Sequence, residues 1–311
     1  MVVLEFMHKS PKEWLNSSPL SLQQLRGKIV LVNFFVYPSI HSIRSFPALN
    51  RIWDRYSKYG VYVIGVHSPN FLFEKNVTHV KAALQRHDIK YPVLLDNTLA
   101  TSNSFEVSRL PSVFLINSQG TLLLSHEGEM GYNAIETMIL KELLEMGHKI
   151  QSVIPSEVFR FSDPETSPEL FTGLDTGGGV YGSSRVRLAQ GADEFRLPTT
   201  YHPHTLYPEG EWHEKSDHMV LVGDKGSFSV CVIAKEVYVV LDSEVVLEVE
   251  VDSGVMESYE QGVDVTSRGG KTILVPHGPD VYNLFKSDEV QEFTITLHGV
   301  KGFTVYCVIC Q

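Results

Sequence analysis

The sequence predicts an α/β domain followed by an all-β sandwich of jelly-roll type. Three observations carry this prediction. Up to about residue 150, apolar runs of strand length alternate with stretches of helical periodicity. Beyond it, short alternating runs are separated by turn residues at regular spacing, with no long amphipathic helix. The length, 311 residues, gives room for about two domains. The boundary is placed between 1–152 and 153–311, with the linker-like stretch Ser162-Asp-Pro-Glu-Thr-Ser-Pro168 and Gly177-Gly-Gly179 just beyond it.

Taken in order, residues 28–36 form a continuous apolar run that fits a strand buried on both faces. Residues 44–59 carry Phe46, Leu49, Ile52, Trp53 and Tyr56 at helical spacing, and Gly60 stands where a helix-ending glycine belongs. A second buried strand is predicted at 61–66. A helix over 77–87 has Val80, Ala83 and Leu84 on one face. Short strands follow at 91–95, 113–116 and 121–124, the last two joined by a turn at Ser118-Gln-Gly120. A helix over 132–146 closes the domain, and helices are expected on both faces of the sheet. In the second half, strands are predicted at 219–222, 226–234, 236–241, 245–251, 271–275, 293–297 and 302–310. Phe228, Val230 and Val232 alternate there with Ser227, Ser229 and Cys231.

Charge excludes some functions. Lys and Arg number 26 against 37 Asp and Glu, a formal net charge of −11 with no basic block. Such a chain is a poor partner for nucleic acid and is repelled by an anionic membrane surface. No apolar stretch reaches the length of a membrane span. Residues 1–10 lack the basic start and small-residue cleavage site of a signal peptide. Three cysteines, Cys231, Cys307 and Cys310, are too few for a disulfide framework. Together these features predict a cytoplasmic protein with reduced thiols.

The chemistry-bearing candidate is Tyr37-Pro-Ser-Ile-His-Ser-Ile-Arg44, between the first buried strand and the first long helix. A strand-to-helix turn aims free N–H groups at whatever sits there. It is where a Cys-X-X-Cys pair gains a reactive first thiolate. Here the two positions are Ser39 and Ser42. Leu110-Pro111, just before the strand at 113–116, is a place for a cis peptide bond. A serine-hydrolase reading needs a base within reach and a third group orienting it. His41 lies between the two serines, and no Gly-X-Ser-X-Gly elbow occurs. Helix capping is the simpler role for Ser39 or Ser42. His202, His204, His213 and His218 cluster in sequence, but the last pair is one residue too far apart for a His-Glu-X-X-His zinc motif, so a solvated loop is expected. Cys307 and Cys310 fall on opposite faces of a strand, one packed inside and one an edge thiol. No metal or cofactor is expected.

Residues 13–146 resemble the thioredoxin-like redoxin family, including the TlpA-like domain of DipZ-type proteins and the thioredoxin domain of NHL-repeat proteins. The resemblance is carried by Trp14-Leu-Asn16, Leu25-Arg-Gly-Lys-Ile-Val-Leu-Val-Asn-Phe34, Gly65-Val-His-Ser-Pro69, Phe73-Glu-Lys75, Tyr91-Pro-Val-Leu-Leu-Asp-Asn97 and Gly128-Glu129. It implies a thioredoxin-like fold and thiol-disulfide exchange. In it, Ser39 and Ser42 occupy the two cysteine positions, His41 the usual Asn position and Pro111 the cis-proline position. His41 and Leu110 would then line a peptide groove. DipZ-type chains continue into a β-sandwich similar to a carbohydrate-binding module. Ser167-Pro-Glu-Leu-Phe-Thr-Gly173, Gly210-Glu-Trp212, Gly262-Val-Asp-Val265 and Val281-Tyr-Asn-Leu-Phe285 match that part. The match implies sugar stacking on Tyr207, Trp212 and Tyr282 (with Tyr201 beside them), and Asp264 and Asn283 as polar partners. DipZ-type relatives work outside the cytoplasmic membrane, whereas NHL-type relatives are intracellular.

Serine cannot form a disulfide, so exchange chemistry is lost at this site as written. Three readings follow. The first is a redox-inactive binding or scaffolding protein, with a peptide or protein partner paired beside Pro111 by strand addition. The second is a thiol-disulfide oxidoreductase whose two cysteines have been replaced by serine. The third is a carbohydrate-binding protein acting through its second domain.

Overall fold

The computed structural model describes residues 10–129, 131–150, 165–176, 179–188 and 191–311. They fall into two compact units, one within residues 1–161 and the other within 162–311. The expected boundary at 152/153, residues 162–164 of the linker-like stretch, and Gly177 and Gly178 lie outside the described residues.

The first unit comprises β1 (Trp14–Leu15), α1 (Leu22–Leu25), β2 (Ile29–Phe35), α2 (Ile40–Ile43), α3 (Phe46–Tyr56), β3 (Val61–His67), α4 (Val77–Arg86), β4 (Val93–Leu95), α5 (Ala100–Ser104), β5 (Ser112–Ile116), β6 (Leu122–Glu127) and α6 (Tyr132–Glu145). Its sheet runs β1-β4-β3-β2-β5-β6. β2, β3 and β4 are parallel, and β5 and β6 are antiparallel additions beside β2. All seven residues of β2 are buried. Ile29, Leu31 and Phe35 join α3, α4 and α6 in one core, while Val30, Val32 and Phe34 join Leu25, Phe105 and Phe114 in the other. Cover on both faces is what a strand without polar alternation requires. Each such side chain contributes about 1.5–3 kcal/mol on burial.

The helical periodicity at 44–59 resolves into α3 and a 3-10 turn, and the short α2, which was not expected, precedes them. α2 ends at Ile43, and α3 restarts with Pro47 in its first turn, where a missing N–H costs nothing. A 3-10 turn over 57–59 then ends at Gly60 with φ +88°, a left-handed conformation that glycine adopts freely. Inside the first core, the fully buried Glu136 on α6 ties that helix to α3. It accepts hydrogen bonds from Arg51 Nε (3.0 Å), Arg55 NH1 (3.1 Å) and Tyr56 OH (2.7 Å).

The second unit contains β7 (Leu170–Phe171), β8 (Ser184–Arg187), β9 (Asp193–Arg196), β10 (Thr205–Glu214), β11 (Met219–Leu221), β12 (Lys225–Asp242), β13 (Leu247–Val251), β14 (Val265–Arg268), β15 (Lys271–Leu274), β16 (Asp280–Val300) and β17 (Thr304–Cys310). The two long strands β12 and β16 pair with each other along most of their length. β12 changes its other neighbour midway, from β10 at Ser227–Cys231 to β17 at Val237–Asp242, across an irregularity at Ala234/Glu236. A strand that switches partners at a bulge passes from one layer of a sandwich to the other. Phe228, Val230, Val232, Val237, Val239 and Leu241 all point into the single core of this unit. The strands expected at 226–234 and 236–241 are therefore one. β7, β8, β9, β10 and β14 were not expected, and the first half of β16 was expected only through the resemblance at 281–285. In β10, Pro208 and Gly210 break the alternation. Among the described residues, no helix is long and apolar enough to cross a membrane.

Removing the Glu136 carboxylate leaves two guanidinium groups and a buried phenol without their shared acceptor. Glu136→Ala is expected to lower the stability of the first unit by about 3 kcal/mol. Chemical denaturation followed by tryptophan fluorescence measures it, and an unchanged midpoint would contradict the bridging role.

Candidate functional site

β2 and β5 are adjacent, with Phe34 opposite Ser112. The chain leaving β2 and the chain entering β5 therefore lie at one end of the sheet. The first becomes the turn into α2, and the second is Leu110-Pro111, whose peptide bond is cis.

Ser39 occupies the N-cap position of α2 in an extended conformation (φ −104°, ψ 123°), but its side chain makes no capping hydrogen bond. Ser42 is fully buried, and its Oγ accepts the Val36 N–H at 3.3 Å. Its carbonyl accepts from the Ser45 hydroxyl at 2.6 Å. The expected cap is thus corrected. Ser39 has the position without the bond, and Ser42 reaches back to hold the end of β2.

His41 points to a residue that sequence reasoning left without a role. Its Nδ1 meets the Glu129 carboxylate, and Arg44 NH1 lies 3.3 Å from the same oxygen. The preceding Gly128, at φ +87°, donates its N–H to the Pro111 carbonyl at 2.7 Å. Glu129 therefore ties α2 to the Pro111 turn. Leu110 is half-buried against the second core. Its own N–H and C=O bond to no described residue.

Behind the turn lies a second unanticipated pair. His67 ends β3 opposite Phe35, and its Nε2 lies 3.2 Å from Glu74 Oε2, both side chains fully buried. The other Glu74 oxygen accepts the N–H groups of Asn70 (3.1 Å) and Phe71 (2.9 Å). The imidazole stacks on Tyr37, centroids 5.6 Å apart and planes at 23°. The signal for these residues was in the sequence. Gly65–Pro69, Phe73–Lys75 and Gly128-Glu129 were among the matching segments.

Trp212, Tyr207, Tyr282 and Asn283 of the sugar-site candidates are buried, Tyr201 is half-buried and Asp264 is exposed. Trp212 is fully buried, its Nε1 donating to Glu209 O at 2.9 Å and its ring against Phe228 and Phe303. The buried Tyr207 accepts the His202 N–H through its hydroxyl, with Tyr201 against its ring. The buried Tyr282 donates to Gly278 O and accepts the His277 N–H. Asn283 Oδ1 accepts the Val263 N–H, and the Asp264 carboxylate accepts the Asn283 N–H. Trp212, Tyr207 and Tyr282 are buried, the two phenols and the indole N–H bonding to main-chain groups, so their stacking role is overturned.

The four histidines have separate local contacts: His204 with Ser167, His213 with Lys215, His218 with Asp217, and the His202 N–H with Tyr207. Among the described residues, no cluster of three or more His, Cys, Asp or Glu side chains is arranged to hold a metal. Cys307 and Cys310 are both buried, which corrects the edge thiol. β17 lies between β12 and β11, and β7 pairs with it at Cys307. Burial pushes the Cys310 thiol up to about 12 and the Cys307 thiol well above its ordinary value.

Residues 11–139 match the Redoxin family model, and residues 167–308 match the Thioredoxin like C-terminal domain. Protein DipZ of Mycobacterium tuberculosis is 26% identical over 303 residues, 94% of this chain and 41% of that protein. NHL repeat-containing protein 2 of Homo sapiens is 34% identical over 170 residues, 53% of this chain and 23% of that protein. Thiol-disulfide oxidoreductase ResA of Halalkalibacterium halodurans is 27% identical over 124 residues, 40% of this chain and 68% of that protein. The chain thus spans about two fifths of the length of DipZ, a 41% share.

Two outcomes follow from the site geometry. Ser42→Ala orphans the Val36 N–H and is expected to cost about 1–2 kcal/mol, whereas Ser39→Ala stays within about 0.5 kcal/mol of the parent. Equal losses in denaturation midpoints would refute the distinction. At pH 8, none of the three cysteines is expected to react with a thiol-specific reagent until the fold is opened with denaturant. Prompt labelling of Cys307 or Cys310 in the native protein would contradict their burial.

Proposed function

Starting from a thioredoxin-like chain of the redoxin type, we propose that this protein is a redox-inactive relative of the thiol-disulfide oxidoreductases. Its role is to bind an extended segment of a peptide or protein partner between the Ser39 turn and the Pro111 turn. One observation supports this most directly. The Leu110 main chain offers an N–H and a C=O with no partner among the described residues, beside a Ser39 hydroxyl that is equally uncommitted. An extended segment that adds to those groups gains main-chain hydrogen bonds in the manner of strand addition.

The serines remove the chemistry without removing the scaffold. A hydroxyl at position 39 is far too weak an acid to act as the thiolate does, and no second sulfur exists to resolve a mixed disulfide. The alternative, an oxidoreductase whose cysteines were replaced, uses the same groove and differs only at these two side chains. No sugar partner is proposed for the sandwich, because its candidate aromatics are internal.

Restoring sulfur one atom at a time tests the reading. Ser39→Cys is expected to form a stable mixed disulfide with an extended peptide carrying an activated disulfide, as the thiolate attacks one sulfur and the other leaves as a thiol. Ser39→Cys/Ser42→Cys should then release that peptide reduced, closing its own disulfide. The parent chain should do neither. Reduction of the peptide by the parent would overturn redox inactivity. A folded Ser39→Cys variant that traps nothing would overturn the groove.

A further inference from the structure

The negative charge of this protein is concentrated in one place. Residues 165–311 carry 10 Lys and Arg against 23 Asp and Glu, a formal −13, while the whole chain is −11. Within them, residues 236–267 hold nine carboxylates and no Lys, Arg or His. That stretch also supplies an apolar rim at one end of the sandwich. Leu247 pairs with Leu274, and Leu274 with Val265, so the chain entering β13, leaving β15 and entering β14 comes together at one sheet end. The three paired residues are buried, whereas Val246 and Val275, one residue out, and Val263, two residues before Val265, are not. Val246 is 50% exposed, Val275 58% and Val263 81%, with Val245 beside them at 41%.

Four exposed valines in the chain entering and leaving neighbouring strands are a poor surface to leave in water. Their surroundings select what covers them. Glu244 and Asp264 are exposed at the same rim. Lys271, at the start of β15, is paired with Glu248, and His277, two residues past Val275, with Asp280. A second copy of this chain would bring like charge against like, whereas a cationic partner is drawn in by the field of the domain.

We propose that the rim of Val245, Val246, Val263 and Val275 docks a protein segment that alternates basic and aliphatic side chains. The aliphatic residues cover the valines, and the basic ones meet Glu244, Asp264 and the acidic stretch behind them.

The full chain, titrated with a fluorescent synthetic peptide of alternating lysine and leucine and with a lysine–serine peptide of equal charge, tests this. The leucine peptide is expected to bind about tenfold more tightly, with affinity falling as salt rises. Val246→Ser/Val263→Ser/Val275→Ser should remove that advantage at an unchanged thermal midpoint, since all three side chains are exposed. Equal affinity for the two peptides, or an undiminished preference in the triple variant, would overturn the proposal. So would a concentration-dependent dimer that the triple variant abolishes, which would assign the rim to a second copy.

Discussion

The pairing of β2 with β5 is the constraint on which the first unit's site depends. It sets Phe34 opposite Ser112, so the turn carrying Ser39 and the turn carrying Pro111 emerge together. The register is enforced by burial. A slip of one residue would exchange the two sets of side chains that β2 sends into different cores, and both cores are close-packed. The site is thus placed by apolar packing that involves neither serine.

Polar contacts then fix the two turns. Glu129 collects His41 and Arg44, and Gly128 holds the Pro111 carbonyl. The buried His67–Glu74 pair stands under Tyr37, one turn before Ser39. Buried ionisable pairs are expensive and are weak contributors to stability. In the sandwich the logic is reversed. Its aromatics are consumed by the core, and what it presents to solvent is charge and a few valines.

Much of the first unit was legible in the sequence because β2 and β3 are buried on both faces, which leaves unbroken apolar runs too short for a helix of the core. The short α2 was not, because four residues are too few to show a helical period. β10 was hidden by Pro208 and Gly210, and β8 has no buried residue at all, so no alternation marks it. In the site, the two serines and Pro111 were found from position. Glu129 escaped because its role arises only from long-range contacts, and His67 and Glu74 because their pairing depends on how the turn between them folds. Trp212, Tyr207 and Tyr282 misled for a physical reason. An aromatic with a polar handle near a turn reads the same whether it stacks on a sugar or anchors a loop from inside.

Amide hydrogen exchange at Leu110 reads occupancy of the groove between the two turns. With an extended peptide bound, the Leu110 N–H should exchange at least about tenfold more slowly, because a main-chain acceptor now covers it, while amides of the sandwich keep their rates. Saturable binding of the peptide with Leu110 exchange unchanged would place the partner elsewhere and contradict the groove.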